Sequence, residues 1–223
     1  MKLILLISSF IVGTNFANSQ DTAKHLYIRN VLWTTPVKRN TIINGLAVGV
    51  ETNTWKGADS LKINGLTIEI APFSIIAAMY ALGGTISSLS SNTQRDSAIQ
   101  GGGDLISKNI FTEKDESIRT KIKGVSISLG GLLRQANISG ISINGMVCFV
   151  NKMNGIELTG LMNLHYEFNG IMIGGLRNKV TQGKGLQVGL INTCKSGQVL
   201  QLGLINRIGK RITPILNFSF KKT

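Results

Sequence analysis

From residue 124 onward the chain repeats a short phrase at a nearly constant interval. The copies read Gly140-Ile-Ser-Ile-Asn-Gly-Met, Gly155-Ile-Glu-Leu-Thr-Gly-Leu-Met-Asn163 and Gly170-Ile-Met-Ile-Gly-Gly-Leu-Arg-Asn178. Gly185-Leu-Gln-Val-Gly-Leu-Ile-Asn192 and Val199-Leu-Gln-Leu-Gly-Leu-Ile-Asn206 follow, so successive starts are 15, 15, 15 and 14 residues apart. An earlier copy opens at Gly124, two more stand at Gly45 and Gly65, and a degenerate one closes at Asn217. A fixed period of this length marks one structural unit used many times. Within each copy apolar residues alternate with polar or small ones, as in Ile156, Leu158, Ile171, Ile173, Leu186 and Val188. That alternation, rich in β-branched side chains, predicts strands with the Ile/Leu/Val positions buried. A glycine every few residues disfavours helix by about 1 kcal/mol at each occurrence. The expected fold is all-β.

Two architectures use such a unit. In a β-solenoid or β-roll each unit is one coil stacked on the last. In an antiparallel outer-membrane-type β-barrel each unit is one strand and a turn. Gly155 to Asn163 spans eight steps and Gly185 to Asn192 spans seven. One residue lost inside a continuous strand would flip every later side chain. One lost at a corner made by Gly160, Gly175, Gly189 or Gly203 is harmless, and Leu161 and Leu190 then both point inward. A membrane barrel also needs aromatic girdles, and two Trp with three Tyr are few for that purpose. The solenoid is the favoured reading and the barrel its alternative. In a solenoid Asn163, Asn178, Asn192 and Asn206 form a structural ladder that satisfies their buried amides. Asn placed in turns for its left-handed tolerance is the competing account.

Four segments are expected. Lys2, an apolar run over 3–12 and the small residues of Ala17-Asn18-Ser19 have the order of a cleaved signal peptide, assigned to 1–19. Residues 20–86 form an N-terminal β segment with two degenerate repeats and the apolar stretch Phe73 to Leu82, which is too short to span a membrane. Residues 87–123 read as a polar surface excursion, and 124–220 as the β-repeat region. The expected location is the outer membrane, periplasm or cell surface.

The phrase Gly-Leu-Gln-Val-Gly-Leu-Ile-Asn, closed by Gly209-Lys-Arg-Ile-Thr-Pro-Ile-Leu-Asn-Phe218, resembles the leptospiral-type surface-repeat family of exported bacterial proteins. The resemblance covers roughly 124–218, about half of the chain with the copies at Gly45 and Gly65. It implies an envelope or surface location and nothing catalytic. Some members look like lipoproteins, whereas here no Cys lies near the expected cleavage site.

Few residues invite chemistry. His25 and His165 are single, and Glu167 two residues beyond His165 does not make a metal site. Cys148 and Cys194 fall about three units apart, beyond disulfide reach in a solenoid, and are expected as free buried thiols. Gly101-Gly102-Gly103-Asp104 lacks the Lys-Ser/Thr of a phosphate loop, and no Gly-x-Ser-x-Gly or His-Glu-x-x-His occurs. No enzyme activity, cofactor or metal is expected.

Charge is the remaining feature. The chain carries 24 Lys+Arg against 11 Asp+Glu, a formal net charge of +13. No acid follows Glu167, while Arg177, Lys179, Lys184, Lys195, Arg207, Lys210 and Arg211 do. With Lys179, Lys195 and Arg207 near one edge, they would form an anion-binding strip for outer-membrane lipid or lipopolysaccharide. The competing account, and the favoured one, is that these cations keep a repetitive β protein soluble and block edge pairing. Without interleaved aromatics no specific nucleic acid is expected. Three functions follow: a structural or interaction protein of the envelope that meets another envelope protein or lipid, an integral barrel, and a periplasmic module binding anionic glycan or lipid.

Overall fold

The structure, a computed structural model, describes residues 26–35, 37, 40–50, 60–76, 78–79, 82, 120–133 and 136–220. The expected signal peptide, His25, the Gly101–Gly103 run and residues 87–119 of the expected excursion lie outside the described residues.

The chain is a β-solenoid. Among the described residues twelve strands form one sheet system: β1 (Tyr27–Arg29), β2 (Leu32–Thr35), β3 (Thr41–Val50), β4 (Leu61–Ile70), β5 (Thr120–Ser128) and β6 (Gly131–Leu133). They continue as β7 (Ala136–Asn144), β8 (Val147–Thr159), β9 (Met162–Gly174), β10 (Arg177–Val188), β11 (Ile191–Ile208) and β12 (Arg211–Ser219). The main path runs β1-β3-β4-β5-β7-β8-β9-β10-β11-β12, with β2 on β3 and β6 on β8. Every pairing is parallel except β11–β12. Sequence neighbours that pair in parallel with no crossover helix require each turn of chain to wrap once and lie on the previous turn. The antiparallel barrel is therefore excluded as the fold: its strands would alternate in direction.

The glycine that opens each repeat sets the pitch. Gly45, Gly65, Gly124, Gly140, Gly155, Gly170 and Gly185 stand in register down the stack. Their φ values lie between 123° and 137°, which side chains of L residues rarely tolerate. The coil bends there, again at Asn151, Tyr166 and Thr181, which the ladders skip, and a third time at Gly145, Gly160 and Gly175. The one-residue deletion before Asn192 falls at this third bend, because Ile173 and Val188 pair before it and Asn178 and Asn192 pair after it.

The interior holds an apolar column along Ile43, Ile63, Ile122, Ile138, Met153 and Phe168, all buried. The alternating stripe, however, faces the other way from its expected direction. Ile156 and Leu158 are each 40% exposed while Glu157 between them is fully buried. The inward column is instead Ala47, Thr67, Ser126, Ser142, Glu157, Met172, Gln187 and Gln201. Leu161 is only partly buried, against Val147, Phe149, Met162 and Leu164 rather than the main core, and Leu190 is exposed. Alternation defines two faces without a sign, and stacked amides make the polar face a usable interior. Gln201 Nε2 donates to Gln187 Oε1 at 2.7 Å. A helical turn at 72–76 and 78–79 puts Ala78 against Val147, Phe149, Met162 and Leu164, covering part of the opposite side.

Candidate functional site

Three features stand out: the outward apolar face, the cations, and a polar cluster inside one coil.

The face is built by the two residues that flank each inward polar one. Ile141 and Ile143, Ile156 and Leu158, Ile171 and Ile173, and Leu200 and Leu202 stack in two columns, continued by Val48 and Ile68. Eight rows, β3, β4, β5, β7, β8, β9, β10 and β11, carry them. At a strand spacing of about 4.8 Å the face is roughly 34 Å long, and two outward positions per row give it on the order of 450 Å². Apolar patches of that size are about the largest that a typical monomer exposes, and they are often functional. Across the glycine bend, outward positions on the same strands hold Lys62, Lys121, Lys123, Lys152 and Lys184 against one acid, Glu167. Lys152 Nζ pairs with Glu167 Oε1 at 2.6 Å, so Glu167 serves this border and not His165. Of this border, sequence reading singled out only Lys184. Aligning the repeats by residue would have found the rest.

The seven expected strip residues do not assemble into one strip. Arg177 is buried in line with Met162 and Ile191, and desolvation lowers its pKa to about 10. Lys179 sits between Leu164 and Thr193, half-buried; burial, then the nearby Arg207 cation, lowers its pKa to about 8. Lys195 is exposed at a skipped corner position, and Lys184 is exposed between Asn169 and Gln198. Arg207 donates from Nε to the Gly209 carbonyl at 2.9 Å. Lys210 lies in the β11–β12 turn, and Arg211 stacks 5.9 Å over the Phe218 ring. Of the seven, Arg207 lies close enough to Lys179 for its cation to lower the Lys179 pKa.

The asparagines do form a continuous chain. Asn163 donates to Asn178, Asn178 to Asn192 and Asn192 to Asn206, each from Nδ2 to Oδ1 at 2.8 Å. All four are buried, and backbone carbonyls of Ile173, Val188 and Leu202 accept further bonds from the amides. Neither thiol is in a disulfide, and both are buried. Burial pushes Cys194 up to about 11, against the lowering effect of backbone hydrogen bonds at Ser196 and Gly183; its Sγ donates to the Ser196 carbonyl at 3.1 Å.

The third feature has no counterpart in sequence spacing. His165 Nε2 lies 2.6 Å from Glu157 Oε2, both side chains fully buried and eight residues apart. His165 Nδ1 lies 3.2 Å from the Val150 carbonyl oxygen. A carbonyl only accepts, so Nδ1 carries a proton and Nε2 faces a carboxylate oxygen across a short gap. At 2.6 Å a hydrogen-bonded proton joins the two, and a metal ion would enter only if the side chains moved apart. Cys148 completes a group whose ligand atoms all fall within 4.8 Å of one another. Glu157 Oε1 is buried with no hydrogen-bond partner.

Comparison of the chain with protein-family models, with curated proteins and with solved structures found no match.

Proposed function

We propose that the chain is an exported, non-catalytic envelope protein that lies on an anionic lipid surface through the Ile/Leu/Val face of its solenoid. The observation that carries this reading is the inversion of the stripe: two columns of branched apolar side chains face outward beside a border of lysines. Apolar area favours the acyl boundary, and lysines at its rim reach anionic headgroups, each adding about 1 kcal/mol. The signal-like order of residues 1–19 and the net charge of +13 fit the same setting.

The test is flotation of the leaderless chain with vesicles of phosphatidylglycerol and phosphatidylethanolamine, against phosphatidylcholine alone. The chain is expected to float with the anionic vesicles, less so at high salt. Ile156→Thr with Ile171→Thr keeps β-branched strands while removing about 1 kcal/mol of apolar contact at each position, which predicts roughly tenfold weaker binding or more. A chain that ignores anionic vesicles, or a variant that binds like the parent, overturns the proposal. So does a dimer in light scattering that the same variant dissolves, since a second copy then covers the face.

A second reading rests on the closeness of Lys179 and Arg207. A periplasmic module for anionic glycan would lose salt-sensitive retention on lipopolysaccharide or heparin when Lys179, Lys195 and Arg207 are changed to Glu. Unchanged retention removes that reading.

A further inference from the structure

We propose that Cys148, Glu157 and His165 form a zinc-binding centre inside the solenoid. The three come from two successive turns of chain. Cys148 and Glu157 lie at opposite ends of β8, and His165 lies on β9 directly beside Val150. Each departs from what its own column otherwise holds. Cys148 stands between Leu132 and Asn163, at the head of the asparagine column that continues through Asn178 and Asn192. Glu157 stands between Ser142 and Met172, and His165 between Val150 and Val180. A thiol, a carboxylate and an imidazole, each buried, converge from these three columns.

The local chemistry suits a metal better than a proton. The Nδ1–H bond from His165 to the Val150 carbonyl fixes the tautomer that leaves the Nε2 lone pair free, as partners of metal-bound histidines do. A shared proton would satisfy Oε2 of Glu157 and leave the buried Oε1 without a partner. A metal ion held by both carboxylate oxygens would satisfy the two together. Thiolate, imidazole and carboxylate together match zinc, which binds them at about 2.0–2.3 Å, with water or a core oxygen in the fourth position. To admit the ion, the 2.6 Å gap between His165 and Glu157 would widen by roughly 0.7 Å. Binding would release the Cys148 thiol proton and the proton held between His165 and Glu157 to solvent. This departs from the expectation of no metal, which rested on separations along the chain.

The test uses the full mature chain, unfolded, stripped with chelator, refolded with Zn²⁺ or Co²⁺ and desalted. About one metal ion per chain is expected, with a higher melting temperature than the metal-free chain. The cobalt form should show a thiolate-to-metal charge-transfer band that Cys148→Ser abolishes and Cys194→Ser retains. Should Cys148→Ser fail to fold, Glu157→Gln is read instead, with retention weakened by at least about tenfold. A refolded chain holding under about a tenth of an equivalent has only a proton between His165 and Glu157, and overturns the proposal. It falls equally if the band survives Cys148→Ser or disappears with Cys194→Ser, or if Glu157→Gln retains metal like the parent. Vesicle binding plays no part in this readout, so this centre and the lipid face stand or fall separately.

Discussion

A methyl group on Gly155 would sit 2.0 Å from the carbonyl oxygen of Gly140, backbone against backbone. Nothing there can swing aside, and φ of 131° adds its own strain. Gly155→Ala is therefore expected to destabilise the chain by about 3 kcal/mol or more, read as a lower urea midpoint. Lys179 gives a test of the opposite sign. Its pKa falls from 10.5 to about 8 on folding, so between those values the unfolded chain binds the proton that the folded chain has given up. Stability then rises with pH from about 8 to 10.5, and below pH 8 the folded state carries the full cost of a half-buried ammonium. Lys179→Met should melt higher than the parent at pH 7. The gap should shrink by pH 10, as scanning calorimetry at the two pH values would show. The Asn ladder was legible at this scale because identical residues one period apart must meet in any stacked coil. Glu157 and His165 were not, because their contact crosses the coil at a separation of eight residues, unrelated to the period.

At the scale of elements, β12 matters most. The growing end of a parallel stack presents a row of free backbone groups, a template for another chain. Here β12 folds back antiparallel on β11, with a register shift between Gly203 and Asn206. Pro214 within it lacks an N–H, and Ile215 is a non-glycine residue at φ 63°. Both make the outer edge of β12 a poor partner. Deleting 210–223 should bare the edge of β11 and give concentration-dependent association in light scattering. A deletion variant that stays monomeric would show that the edge is protected by other means. The strands themselves could be read from alternation. Which face turned inward could not, because burial favours apolar residues only when the inner polar ones lack partners, and stacked Gln187 and Gln201 supply their own.

For the molecule as a whole, the parallel stack followed from the indifference of the repeat to one residue at its corners. The lysine border escaped notice because Lys62, Lys152 and Lys184 lie one or more coils from the β5 pair Lys121 and Lys123 and share a flank with them only after stacking. The same stacking has a consequence for what the frame can carry. Neighbouring repeats from Gly124 onward are 14 to 16 residues apart, yet Gly45 pairs with Gly65 after 20 and Gly65 with Gly124 after 59 (124 minus 65). Both detours open at the same corner, and the strands on either side meet in register. Sequence inserted there leaves neither the apolar face nor the asparagine chain interrupted. The stack is thus a display frame: an epitope or reporter spliced at that corner would be carried by coils that need no redesign to hold it.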